Sequence, residues 1–217
     1  MRKLDKTRII STHYKRWEEE FERLNQNHDT YDSSNNTHYL DVVMNLLHAQ
    51  GGLCAYTEMR LCSLELIDEQ KWVNGKYVGH NPETFGQLDH FDPELKSEKA
   101  WLWDNFFYVC TDINTKVKGK KEVDIILKPD TKEYDVAYLM EYDIDSHIFI
   151  PHSNLDDNTQ ERVKAMILKL GINFDPIIDL RREYLVDKLT QKKFGLEFEI
   201  HQFHTAFSMC VYSEKSM

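Results

Sequence analysis

Asp89 and His90 stand side by side in Leu88-Asp89-His90-Phe91-Asp92-Pro93; Asn105 follows in Trp103-Asp104-Asn105 and Asn114 in Asp112-Ile113-Asn114. These side chains have the chemistry of a single-metal centre for phosphodiester hydrolysis. Such a centre needs an attacking water, stabilisation of developing negative charge, and help for the leaving oxygen; one divalent cation serves the last two. Mg²⁺ (or Mn²⁺) takes hard oxygen ligands. Asp89 would supply a carboxylate and Asn114 an amide oxygen. A histidine near its ordinary pKa of about 6.5 accepts a proton from water at neutral pH, provided a carbonyl or similar group holds its second nitrogen. His90 is the candidate base. Neighbouring strand residues face opposite ways, so Asp89 and His90 serve one site only if the chain bends, and Pro93 favours a bend. Asn105 either positions His90 or braces the loop.

The elements that must hold these residues are legible on either side. Gly86 to Phe91 reads as a short strand, stopped by Pro93; Phe106 to Val109 reads as a second, and Asn114 falls near the start of a helix or turn. The order is strand, loop, strand, helix. Upstream, Tyr14, Trp17, Phe21 and Leu24 share one face of a helix over Thr12 to Leu24. Residues 29 to 37 form a polar loop. Leu40, Val43, Met44 and Leu47 make His38 to Gln50 an amphipathic helix ended by Gly51-Gly52. Asn74-Gly75 predicts a hairpin between Lys71-Trp72-Val73 and Lys76-Tyr77-Val78. Downstream, Asn158 with Glu161 forms a capping pair, Val163, Met166, Ile167 and Leu170 a stripe closed by Gly171, and Pro176 opens a helix reaching about Lys193. Ile148-Phe149-Ile150 is strand-like. The expected fold class is α+β: a ββα core at 51–130 between N-terminal helices at 1–50 and a C-terminal helical region at 131–217, all one domain.

At 217 residues the chain can bury one sizeable core. Its net charge of −10 counts against a nucleic-acid binder that works alone, since such proteins neutralise phosphates with Lys and Arg. Lys116, Lys118, Lys120 and Lys121 nonetheless crowd together just after Asn114, which fits either a small basic footprint on an acidic body or a solvated loop. No apolar run is long enough to span a membrane. The opening residues Met1 to Asp5 lack the apolar core of a secretory leader, so the expected location is the cytoplasm. Cys54, Cys62, Cys110 and Cys210 are then expected to be free thiols.

The stretch Leu88 to Pro93, with Trp103-Asp104-Asn105, Cys110-Thr111-Asp112-Ile113-Asn114 and Lys118-Gly119, resembles the ββα-metal HNH endonuclease motif. More narrowly, the chain resembles the PtuB-type HNH proteins of Septu and retron anti-phage systems. Leu46 to Tyr56 is similar to that family's lead-in, Ile148 to Pro151 and Val163 to Asn173 to its tail, and Arg181 to its tail arginine. The resemblance spans roughly residues 40 to 190. It implies a metal-dependent endonuclease: Asp89 as metal ligand, His90 as general base, Asn105 as the middle residue, Asn114 on the metal side, and the Lys116–Lys118 region near phosphate, with Lys120 beside it. It also implies a PtuA-like ATPase of the ABC/SMC type as partner and, in retron versions, a reverse transcriptase with its multicopy DNA. DNA is the default substrate; a structured RNA such as tRNA is the other. A nuclease fold kept as a scaffold or interaction subunit without activity is the alternative.

Two departures from the family stand out. Its two Cys-x-x-Cys pairs read here Cys54-Ala55-Tyr56-Thr57 and Cys110-Thr111-Asp112-Ile113, each without its second cysteine, and structural zinc needs four Cys or His ligands. Cys62 or His80 could contribute, but no spacing requires it. The expectation is no structural zinc, with Cys54 and Cys110 as buried remnants packed beside Tyr56 and Ile113. Secondly, Lys118-Gly119 falls one residue late. Elsewhere, His147, His152 and the pair His201-x-x-His204 read as ordinary histidines. Trp101, Trp103, Phe106, Phe107 and Tyr108 read as packing rather than base-stacking residues, Phe203, Phe207 and Val211 as an apolar stripe, and one of Arg181 and Arg182 as part of a helical salt bridge.

Overall fold

The structure, a computed structural model, describes residues 1–34, 36–80 and 85–216. Helix α1 (Thr12–Leu24) matches its expected span. Its buried face is carried by Tyr14 and Glu18, while Leu24 lies exposed. The polar loop follows, with Asn35 outside the described residues. Helix α2 (Tyr39–Ala49) is the apolar spine, buried from Asp41 to Leu47.

Strands β1 (Trp72–Val73) and β2 (Lys76–Tyr77) form the expected hairpin. Asn74 and Gly75 both take positive φ (52° and 76°), as the tight turn with right-handed strand twist requires. Strands β3 (Gly86–His90) and β4 (Phe106–Cys110) pair antiparallel, with Asp89 opposite Phe107 and His90 opposite Phe106. All five residues of β4 are buried. Its far edge is closed by a side chain: Gln50 Oε1 accepts the Tyr108 N–H (2.9 Å) and Gln50 Nε2 donates to the Tyr108 and Leu53 carbonyls, both at 2.7 Å. The Tyr108 backbone thus finds partners on the side of β4 away from β3, as a buried strand requires. After β4 the chain turns directly into a helix that widens to π geometry over Ile113–Lys118.

The C-terminal third departs from the expected run of helices. A short helix α3 (Val136–Leu139) leads into a hairpin of β5 (Met140–Asp143) and β6 (Ile148–Pro151). The strand-like Ile148-Phe149-Ile150 thus finds a partner, through a turn in which His147 takes φ 57°. Asn173 then caps the β6 edge, accepting from Phe149 N at 2.9 Å and donating to its carbonyl at 2.7 Å. Helices α4 (Asp157–Lys169), α5 (Asp175–Lys193) and α6 (His204–Ser216) complete the chain. The N-cap of α4 is Asp156, which accepts from Thr159 N, so Asn158 is not the cap. Pro176 lies in the first turn of α5 as expected. The architecture is α+β, with three separate two-stranded ladders among the described residues. Buried residues from Met1 through Leu88 and Phe107 to Cys210 join one hydrophobic cluster. No helix among the described residues is long and apolar enough to cross a membrane.

Candidate functional site

Asp89, His90, Asn114 and Lys120 line one cavity of about 340 Å³, together with Pro93 and Lys96. Residues at positions 89 and 90 reach the same space although they are strand neighbours. The ladder ends at His90, and the chain bends from Phe91 to Pro93.

His90 is held by its far nitrogen. Nε2 lies 2.9 Å from the Ala100 carbonyl. A carbonyl only accepts, so Nε2 carries the proton and Nδ1 is the basic nitrogen. The ring packs edge-on against Tyr31 (5.0 Å) and Phe106 (4.9 Å). Burial, with Lys96 and Lys118 nearby, lowers its pKa to about 4. The sequence expectation of an ordinary imidazole near 6.5 is corrected accordingly. The ring is neutral at pH 7 but weakly basic, and a bound anion would raise its basicity.

Asn105 braces the loop and does not touch the imidazole. Its Oδ1 accepts from Asp92 N and its Nδ2 donates to Asp92 O, both at 2.8 Å, while its own carbonyl accepts from Phe91 N at 2.8 Å. It closes the β3–β4 connection just beyond His90 and is a positioning residue. Asn114 turns its amide nitrogen towards Gln87 Oε1 (3.3 Å) and the Leu88 carbonyl (3.4 Å), which ties the π-helix to β3.

Asp89 is only 3% exposed, and both its oxygens are engaged. Tyr56 Oη donates to Oδ2 at 2.5 Å and Lys118 Nζ to Oδ1 at 3.0 Å. Lys118 also donates to the His90 carbonyl at 2.7 Å. Burial pushes the Asp89 carboxyl above the usual range, and Lys118 with Tyr56 pull it back. Lys118 is fully buried, which corrects the assignment of Lys118 to phosphate contact. Lys118 closes the π-helix, and Gly119 N bonds Asn114 O at 3.0 Å across five residues. Of the other two lysines, Lys116 pairs with Asp112 on the surface (2.9 Å), and Lys120 faces the cavity.

The expected Mg²⁺ or Mn²⁺ does not fit this arrangement of side chains. A hard cation needs carboxylate oxygens at about 2.1 Å, and an ammonium group already lies 3.0 Å from Asp89 Oδ1. Among the described residues no three His, Cys, Asp or Glu side chains gather as a metal site, the His201–His204 pair included. At Cys54 and Cys110, the Cys110 N–H donates to Cys54 Sγ at 3.4 Å, and burial raises the Cys54 thiol pKa.

Sequence reasoning missed four participants. Tyr56 and Ala100 reach the site only through the fold. Tyr31, from the polar loop, covers His90, with Lys96 Nζ 4.5 Å from the Tyr31 ring centroid. Lys96 was within reach, being three residues past Pro93 on the same loop. The aromatic run Trp101 to Tyr108 is buried as expected. Arg182 makes the helical salt bridge with Asp179 (3.0 Å), whereas Arg181 is buried against the His147 and Ile172 carbonyls. No protein-family model matches the chain, and no curated protein matches it.

Proposed function

We propose that this chain is an HNH-type endonuclease subunit of a prokaryotic anti-phage system of the Septu or retron PtuB kind. It hydrolyses phosphodiester bonds of DNA, or of a structured RNA such as tRNA, in the cytoplasm under the control of a PtuA-like ABC/SMC-type ATPase. The retron reverse transcriptase with its multicopy DNA is the further partner where such a system is present. The observation that carries this reading is the convergence of His90, Asn114 and Lys120 on one cavity, with His90 already in the tautomer that offers Nδ1 to water. The strand–strand–helix order with Asn105 as loop brace supports the ββα-metal comparison. His90 would take the proton of the attacking water, and the lysines at the rim would meet the phosphate charge.

A second reading, a catalytically silent HNH-fold scaffold, is favoured by the saturation of both Asp89 oxygens. Plasmid DNA and total RNA incubated with the chain and its neighbouring ATPase, in Mg²⁺, Mn²⁺ and chelator, separate the two. The nuclease reading expects cleavage that His90→Ala abolishes. Equal cleavage by wild type and variant, or no cleavage under any condition, sinks it.

A further inference from the structure

We propose that Lys118 is a built-in cation that holds the place at Asp89 where an HNH centre would carry a divalent metal, so that this cavity takes a phosphodiester directly on Lys96 and Lys120. The inference rests on the nuclease reading for its class of ligand and deepens it, because it concerns how that ligand is held and not how it is cleaved.

The geometry at Asp89 is that of an occupied cation site. One ammonium group, fully buried, sits 3.0 Å from the carboxylate and 2.7 Å from the His90 carbonyl. These are two oxygens of the kind that a hard cation would collect. Tyr56 takes the remaining carboxylate oxygen. A metal could enter only by expelling Lys118, leaving an ammonium without its partner in a dry interior, which is strongly unfavourable. Lys118 is kept there by the widened helical turn and by its bond to the backbone of His90, so its position does not depend on Asp89 alone.

The consequence is electrostatic. Asp89 and Lys118 cancel, and among the described residues lining the cavity the other charges are the ammonium groups of Lys96 and Lys120. Lys96 is fixed over the Tyr31 ring, 4.5 Å from its centroid. On a chain of net charge −10 this is a local cationic pocket with a neutral imidazole in its wall. Its chemistry suits an anion that can accept hydrogen bonds from both lysines, as a phosphodiester can.

Two equilibrium measurements test this, and neither needs turnover. First, Mn²⁺ binding is followed by electron paramagnetic resonance on wild type, Asp89→Asn and Lys118→Met. The expected result is no Asp89-dependent Mn²⁺ in wild type and its appearance in Lys118→Met. Wild-type uptake that Asp89→Asn removes overturns the proposal, and so does a folded Lys118→Met that gains none. If Lys118→Met does not fold, the comparison of wild type with Asp89→Asn decides this half. Second, fluorescein-labelled DNA duplex and labelled tRNA are titrated in chelator and in Mg²⁺ at matched ionic strength. Equal affinity in both media is expected, with a loss of roughly tenfold in Lys96→Ala and Lys120→Ala. Whichever nucleic acid binds names the source of the phosphodiester. Binding that vanishes in chelator, or that both substitutions leave unchanged, or no binding of either probe, overturns it. Failure of the nuclease reading appears elsewhere, in cleavage by His90→Ala.

Discussion

Asn105 and Asp92 are locked to each other by two reciprocal 2.8 Å hydrogen bonds, amide to backbone, at the end of the β3–β4 ladder. The pair fixes the loop that leaves His90, so position 105 shapes the site without entering it. Asn105→Ala would orphan a partly buried N–H and C=O, costing about 1–3 kcal/mol. Asn105→Asp keeps the acceptor for Asp92 N but sets a carboxylate against the Asp92 carbonyl. Both variants are expected to lower kcat more than they raise KM, with Asn105→Asp the milder in urea unfolding. A pure KM effect would place Asn105 on the substrate instead.

The low pKa of His90 gives a pH signature of two kinds. An ordinary histidine base would show a rate limb near its usual pKa. Here kcat/KM should stay level between about pH 5 and pH 8 on account of His90 and fall only near its pKa of about 4. The same shift bears on stability. A folded pKa below the unfolded value of about 6.5 means that the unfolded chain binds more protons in between, so stability falls as pH drops from about 6.5 towards 4. The contribution is about 3 kcal/mol. Urea unfolding of wild type and His90→Gln at several pH values reads it out. The difference between them should narrow as the medium is acidified, and a constant difference would show that the imidazole is not protonation-restricted.

Local chemistry made much of this legible in the sequence. The span of α1, the Asn74-Gly75 hairpin, the two strands around Pro93 and the opening of α5 at Pro176 all follow from periodicity and turn residues. What stayed hidden is set by contacts between distant residues. Gln50 read as the end of a helix, yet it serves as the missing neighbour strand of Tyr108, 58 positions away. Tyr56 and Lys118 converge on Asp89 from 33 and 29 positions away, and no spacing rule foretells that they saturate it. The β5–β6 hairpin escaped because Met140 to Asp143 has too little alternation to announce a strand without its partner. The lysine cluster fitted either a basic footprint or a solvated loop, and its three members do not share one fate: Lys116 lies on the surface, Lys118 in the interior and Lys120 at the cavity.

Arg181 is a further buried cation, unconnected with Asp89. Its guanidinium donates to His147 O (2.9 Å from Nη2) and Ile172 O (3.1 Å) and lies 5.0 Å from the centroid of Phe149. Planar, multiply donating geometry of this kind is not reproduced by an ammonium group. Arg181→Lys is therefore expected to destabilise nearly as much as Arg181→Met, by about 3 kcal/mol. Thermal unfolding of the three proteins checks this; a lysine variant as stable as wild type would show that charge alone matters there.

Gly171 couples the C-terminal helices to the site. It ends α4 with φ 63°, a left-handed conformation that glycine adopts without strain. A Cβ built on it would lie 2.5 Å from Ile113 Cδ1 and 3.2 Å from Val117 Cγ1, two side chains of the π-helix that carries Asn114 and Lys118. Gly171→Ala thus combines backbone strain with overpacking, at about 1–3 kcal/mol each. A turn of the Ile113 Cδ1 end relieves the shortest contact but leaves Val117 Cγ1 at 3.2 Å and Ile113 Cγ2 at 3.4 Å, so the rest is met by a shift of the π turn itself. That shift would loosen the Lys118–Asp89 contact while leaving His90 and Ala100, on other segments, in place. The expected outcome is a folded but less stable protein whose binding of labelled nucleic acid changes more than its His90-dependent pH profile. Replacing Ile113 by Ala in the same background reopens the space and should recover part of the loss. If the double variant is no better than the additive sum of the two single ones, the close approach of residues 171 and 113 is not what transmits the damage.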